Sequence, residues 1–306
     1  MDFDVVVVGG GTAGLTAAMM LARAHRRVLV LDAGEPRNAP SAHLHGFLGQ
    51  DGTPPAELLA TGRAEVARYG GELRAERVHT IEPAEGGFRV RLSTEDLTSR
   101  NLVVATGLRD ELPEIGGLRE RWGRDVLHCP YCHGHEVRDS PIAVLGGDNR
   151  PFTLHQAVLI RQWSADVVFF PHRIVLTEPE RERLSARGIR VIEGEVARVR
   201  TEEDRVSAVE LADGRVEPRR AVFVGPRFLP RDELLTKLGC RVGDNGWVSV
   251  DGAGRTSVPG VWAAGNVVSE SAQAIQAAAA GSVTAIAINH HLLAEDIERE
   301  LAVLRG

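Results

Sequence analysis

The chain opens on two short β-branched runs, Val5–Val8 and Val28–Leu31, and everything from Val5 to Ala22 is uncharged. Four glycines, Gly9, Gly10, Gly11 and Gly14, break the uncharged stretch just after its first apolar run. A strand buried on both faces, a glycine turn, a helix through Ala22 and a second strand ending at Asp32 account for this pattern. Asp2 and Asp4 precede it, the opposite of a basic signal-peptide flank, so the expectation is a cytoplasmic protein without a membrane span. From Ala33 to Pro54 periodicity is lost in a long loop rich in Gly, Pro, Asn and His, a length that points to function. Pro54-Pro55 then opens a helix over Ala56–Tyr69, stopped by Gly70-Gly71. Strands are predicted at Phe88–Leu92 and Leu102–Ala105, followed by a linker over Leu108–Gly117.

Near Leu118 the order begins again. Ile142–Leu145, Gly146-Gly147, a helical stretch Pro151–Trp163 and Val167–Phe170 repeat strand, turn, helix, strand. Short strands around an Asp213-Gly214 turn lead to Ala221–Val224, and Pro226–Pro230 reads as a return linker. Beyond it, strands at Trp247–Val250 and Val261–Ala264 precede an Ala-rich helix from about Ala272. The second unit is therefore inserted into the first, giving expected boundaries of 1–112, 118–226 and 231–306.

Composition narrows the chemistry. The net charge of −6 lacks the basic footprint that a nucleic-acid groove needs. Three cysteines, Cys129, Cys132 and Cys240, cannot make a secreted disulfide framework, but two of them stand in C-x-x-C spacing.

Gly9-Gly10-Gly11-Thr12-Ala13-Gly14 satisfies G-x-G-x-x-G between a strand and a helix, with Asp32 closing the next strand. The first glycine makes the tight turn, the second admits a pyrophosphate to the helix N-terminus, the third lets the helix pack, and the acid takes ribose hydroxyls. This is a dinucleotide site for FAD or NAD. Cys129-Pro130-Tyr131-Cys132-His133-Gly134-His135 leaves three readings open: a redox dithiol, a zinc site with crowded spacing, or c-type haem attachment, which belongs to exported proteins. No metal is assigned. Thiolate chemistry is favoured where a neighbouring imidazole lowers a cysteine pKa.

Ala105-Thr106-Gly107 with the Pro-containing linker after it, and Thr256-Ser257-Val258-Pro259-Gly260-Val261-Trp262-Ala263-Ala264-Gly265-Asn266, closely resemble the flavoprotein disulfide reductases. The short chain, the central C-x-x-C and the inserted unit are similar to the low-molecular-weight thioredoxin reductases. The resemblance implies an α/β fold of two Rossmann-like, three-layer dinucleotide-binding domains, an FAD domain split around an inserted NAD(P)-type domain. It implies FAD pyrophosphate on Gly9, Gly11 and Gly14, and ribose on Asp32. Gly265 and Asn266 would lie at the ribityl chain and pyrophosphate, and Gln273-Ala274 at the flavin pyrimidine edge. Thr12, Ala13, Ala105, Thr106 and Gly107 line the same turns, and the loop starting at Ala33 adds Arg37, Asn38, His45 and Gln50 as candidate flavin or substrate contacts. Asn266 stands where relatives usually have aspartate.

By the same resemblance Cys132 faces the flavin and Cys129 meets the substrate, with His133 in the place of the usual proton-transfer aspartate and His135 a lesser candidate. Histidine takes protons from an incoming dithiol near neutral pH, which favours dithiol oxidation. The second glycine turn reads Gly146-Gly147-Asp148-Asn149-Arg150-Pro151, with a carboxylate where a pyrophosphate would approach and only Pro171-His172-Arg173 for a 2′-phosphate cluster. Electrons then enter from a dithiol and leave to dioxygen as hydrogen peroxide. The degenerate site and Cys-x-x-Cys-His-Gly form resemble the dithiol oxidases of the gliotoxin and holomycin type, implying a small dithiol substrate, O2 as acceptor and a homodimer. An NADPH-dependent thioredoxin reductase, a ferredoxin-fed reductase and a non-enzymatic flavin redox sensor are the alternatives. His290-His291 and Cys240 receive no role.

Overall fold

A computed structural model describes residues 1–305. In chain order the first elements are β1 (Phe3–Val8), α1 (Thr12–Arg23), β2 (Val28–Leu31), α2 (Pro55–Arg68), β3 (Glu72–Arg74), β4 (Thr80–Ala84), β5 (Gly87–Arg91), β6 (Asp96–Val104) and β7 (Leu108–Glu111). Then come α3 (Leu118–Arg121), β8 (Val126–Leu127), α4 (Pro130–His133), β9 (Ile142–Leu145), α5 (Arg150–Ile160), β10 (Val167–Phe170), α6 (Glu178–Ala186) and β11 (Arg190–Val191). The rest are β12 (Val196–Glu202), β13 (Arg205–Leu211), β14 (Val216–Pro218), β15 (Ala221–Val224), β16 (Arg227–Pro230), α7 (Glu233–Lys237), β17 (Val261–Ala263) and α8 (Ala274–Arg305).

The described residues divide into two compact units, one of residues 1–39, 55–109 and 230–305, the other of residues 40–54 and 110–229. In the first, β3-β2-β1-β6 is a parallel array, and β6 is long enough to serve two partners: its end pairs with β17 in parallel, its start with β5 antiparallel. Alternation along β1 explains why that strand has no polar face. Val6 and Val8 enter one apolar cluster with Phe88 and Leu235, while Val5 and Val7 enter another with Leu15, Ala18 and Ile288 from the helices. The layer of α1 and α8 is close-packed through glycine: a Cβ on Gly281 would lie 2.1 Å from the carbonyl oxygen of Ala13. Helix α8 is long and apolar enough to cross a membrane by length and composition. Its Gly281, Thr284, Ala285, Ile288 and Leu292 are nonetheless buried within the unit.

The second unit follows the same logic. Its parallel sheet runs β11-β10-β9-β15-β8, with Ala143, Leu145, Val168 and Phe170 packed toward the β12-β13-β14 meander. Ile142, Val144, Val167 and Phe169 face the α5 and α6 residues Ala157, Ile160 and Leu184. These are two Rossmann-like three-layer units of the α/β class.

Four expectations need correction. Both segments read as linkers contain strand: β7 and β16 pair with each other, because their backbones satisfy one another whatever their polar side chains suggest. Trp247–Val250 forms no strand; Val248 makes only an isolated bridge to Val242. The first-domain boundary at 112 also shifts, to Arg109. Residues 40–54, expected within that domain, group with the inserted unit, since Pro40 packs where a Cβ on Gly123 would fall and Ser41 meets His133.

Candidate functional site

The first glycine turn is an open cradle. Gly9 has φ +111°, and a Cβ there would come within 2.3 Å of the Ala105 carbonyl oxygen, so only glycine lets β1 turn beneath Ala105-Thr106-Gly107. Gly14 has its missing Cβ 1.9 Å from the Gly9 carbonyl oxygen, which fixes α1 against the turn. Gly11 differs: nothing lies within 4 Å of its Cβ position, it is the N-cap of α1, and no side chain caps the helix. No side chain therefore takes up the first-turn amide groups of α1, and the positive end of the helix lies behind them, as binding a pyrophosphate requires. Thr12 and Ala13 form that first turn.

Asp32 directly follows β2 beside Gly10, where a Cβ would sit 2.4 Å from its Oδ2. Its carboxylate accepts from the Gly34 amide at 3.2 Å and lies 3.8 Å from Arg63 Nη1. Ala33 is exposed; Arg37 and Asn38 are half-buried farther along the loop. Thr106 Oγ1 donates to the Arg231 carbonyl at 2.6 Å, tying this motif to the returning chain. Gly265, at φ +79°, would place a Cβ 2.9 Å from Ala13 Cβ, so the C-terminal motif reaches the N-terminus of α1. Asn266 Nδ2 donates to the carbonyls of Ser269 and Ala272 at 2.8 and 3.0 Å, shaping the loop that delivers Gln273 and Ala274 to the start of α8. Its amide thus does what an aspartate could not, since a carboxylate has no N–H to donate. Gly9, Ala13, Gly14, Asp32, Ala105 and Gly265, proposed for FAD from sequence, meet around one turn, and they suit a dinucleotide's diphosphate and ribose.

The second glycine turn is closed by its own side chains. Asn149 caps α5, its Oδ1 accepting from the Phe152 amide, so the group that would bind phosphate is already used. Arg150 is held by Glu180 at 2.7 Å, and Asp148 is exposed beside the turn. His172 Nδ1 accepts from the Val196 amide at 2.9 Å, and Arg173 pairs with Glu195 at 2.7 Å. Both members of the partial basic cluster are therefore engaged in holding the β10–β12 connection.

Cys129 and Cys132 form a disulfide. Cys129 precedes α4 in extended conformation, and its Sγ accepts from the Cys132 amide at 3.2 Å. Pro130 starts the short helix without needing an N–H partner. Gly134 lets it pack on Trp163, whose ring carbons lie 2.8 Å from where a Cβ would stand. His133 is the deepest titratable group here. Its Nδ1 is buried with no hydrogen-bond partner among the described residues, and Nε2 lies 3.5 Å from Ser41 Oγ. Burial holds its imidazole below the ordinary 6.5, with the Glu136 carboxylate and the Cys129 backbone opposing and His45 reinforcing the shift. His135 is exposed.

His45 stands between two carboxylates, 3.4 Å from Asp51 Oδ2 and 3.5 Å from Glu136 Oε1, and so straps the 40–54 loop to the residues after the disulfide. Gln50 accepts from Thr53 Oγ1 within that loop. Neither contact is to the dinucleotide turn. Sequence reasoning missed Ser41, Glu136 and His128; only the last carried a signal, as a histidine directly before a redox cysteine. The His128 ring stacks on Trp122 with centroids 5.5 Å apart.

The pyridine nucleotide-disulphide oxidoreductase profile matches residues 3–281. "Thioredoxin reductase sirT" of Leptosphaeria maculans is 27% identical over 96% of both chains. "Thioredoxin reductase tcpT" of Claviceps purpurea is 30% identical over 86% of both. The crystal structure of HlmI superposes with a TM-score of 0.95 at 53% identity, covering 98% of this chain and 96% of that one. With its two Rossmann-like units and central Cys-x-x-Cys disulfide, the chain belongs to the pyridine nucleotide-disulphide oxidoreductase family and is thioredoxin reductase-like within it.

Proposed function

We propose that this chain is an FAD-dependent dithiol oxidase that closes a disulfide in a small dithiol of natural-product type and passes the electrons to dioxygen. One observation carries the choice over an NADPH-dependent reductase: the first glycine turn presents an uncapped helix, whereas the second is capped by Asn149 and flanked by Asp148. FAD would be held by Gly9, Gly11, Gly14, Asp32, Gly265 and Asn266, and when bound it supplies the two-electron acceptor between the thiol pair and O2. A substrate thiolate attacks Cys129 Sγ, the Cys129–Cys132 bond breaks, and the electron pair leaves on Cys132. The second thiol of the same substrate then displaces Cys129, releasing the cyclic disulfide. Two electrons and two protons leave the dithiol, and O2 ends as H2O2. His133, held neutral, accepts one of those protons on its imidazole. Oxygen consumption with dithiothreitol, matched mole for mole by peroxide and absent with NADPH, tests the reading; consumption with NADPH alone overturns it.

The depressed basicity of His133 sets a pH dependence. The acid limb of the kcat/KM profile falls below pH 6.5, and His133→Gln removes that limb while lowering the plateau by about 10²–10⁴-fold. The unfolded chain binds more protons than the folded one between the two pKa values. Stability from this ring is therefore complete above the ordinary 6.5 and declines as pH falls through the window below it. Equilibrium urea unfolding from pH 7.5 to 5 reads that slope, which His133→Gln flattens.

A homodimer is part of the proposal. Along α8, Val283, Ile286, Leu293 and Ile297 are each 46–50% exposed and recur at spacings of three, seven and four, the seam of a helix with a helical partner. Light scattering is expected at twice 33.1 kDa, and Ile286→Glu combined with Leu293→Glu is expected to give monomers. A cytoplasmic location is part of the same proposal, because there a lone Cys-x-x-Cys disulfide is catalytic and not structural.

A further inference from the structure

Four rings of the inserted unit form a continuous run. Trp122 stacks on His128 at 5.5 Å, His128 meets Phe228 edge-on at 6.1 Å, and Phe228 meets Phe152 edge-on at 5.6 Å. All four are half-buried. One end of the run lies in the first turn of α5: Phe152 Cδ1 is 2.9 Å from where a Cβ on Gly225 would stand, just beyond β15. This is the carboxyl edge of a parallel sheet, where α/β folds bind their ligands. Within the run, between Trp122 and Phe228, His128 is the residue bonded to Cys129.

The charges around the run do not suit an anion. Asp148 is exposed at the turn, Asn149 consumes the Phe152 amide, Arg150 is neutralised by Glu180, and Arg227 pairs with Glu111. The rings themselves offer π surface, which binds a neutral ring by stacking and burial. We infer that this aromatic wall, at the edge where the fold would otherwise seat a nucleotide, binds the neutral, ring-bearing body of the dithiol whose sulfurs react at Cys129. The inference rests on the dithiol reading for its ligand, but the wall as a ring-binding site is testable without turnover.

The binding arm uses the FAD-loaded protein and 1,2-benzenedimethanol, a neutral ring that carries no thiol, followed by calorimetry. Saturable binding is expected, weakened about tenfold by Phe152→Ala and by Phe228→Leu, the second variant serving should the first not fold, and undisturbed by NADP⁺. The turnover arm compares 1,2-benzenedimethanethiol with dithiothreitol: the ratio of their kcat/KM values is expected to fall about tenfold in either variant. Absent saturable binding, displacement by NADP⁺, or a ratio unmoved in both variants overturns the inference. Binding with the expected variant effects, but with no oxygen consumed from either dithiol, upholds the site and sinks the oxidase reading instead.

Discussion

Replacing Cys132 with serine is expected to reduce dithiol oxidation by a factor on the order of 10³ or more, while FAD content and fold are retained. Serine cannot hold the thiolate charge at neutral pH, nor form the S–S bond through which both electrons pass. The same variant gives a positive signature. With Cys129 still present and no partner to resolve it, a disulfide probe such as oxidised glutathione is attacked once and stays attached. Intact-mass analysis then shows one glutathionyl adduct, which Cys129→Ser lacks. Loss of turnover in Cys132→Ser without any adduct would detach the pair from the chemistry. The site tolerates the change structurally, because Cys132 contributes its backbone amide to Cys129 and that amide is unaltered.

Gly14→Val is expected to yield colourless protein. The added Cβ would stand 1.9 Å from the Gly9 carbonyl oxygen and 3.2 Å from Val7 Cγ1, both belonging to the core strand and its turn. Neither is the flexible end of a side chain, so α1 must move away from the turn, taking the uncapped amide groups of its first turn with it. Overpacking of this kind costs about 1–3 kcal/mol of stability, and the displaced helix end no longer faces the diphosphate. Flavin absorbance per chain after purification checks the effect, with Gly252→Ala, a glycine without positive φ whose Cβ position is open, as the comparison for glycine loss without overpacking. Retention of full yellow colour by Gly14→Val would remove this turn from cofactor binding.

How far the sequence could be read depended on whether the controlling interactions are local. Val5–Val8, the turn at Gly9–Gly14 and Asp32 lie within one strand-turn-helix-strand stretch, and each residue's task follows from its neighbours. Asp148 and Asn149 were legible for the same reason, although the cap that Asn149 makes needed the structure. The linkers were misjudged because Leu108–Glu111 carries the polar sequence of a loop; its strand character comes from pairing with Arg227–Pro230, more than a hundred residues away. Trp247–Val250 has a strand's composition but lacks a neighbour beyond one bridge. The 40–54 loop is the most informative case. Its residues announced function by composition, yet their partners, His133 for Ser41 and Glu136 for His45, are set by tertiary packing. The aromatic run was likewise invisible, since Trp122, His128, Phe152 and Phe228 share no period.

The most direct measurement is an anaerobic stopped-flow experiment on the oxidised, FAD-loaded protein, mixed separately with dithiothreitol and with NADPH while flavin absorbance near 450 nm is followed. The account predicts rapid bleaching by the dithiol, full return of colour on admitting oxygen, and no bleaching by NADPH within the same time. Bleaching by NADPH with none by the dithiol would contradict it.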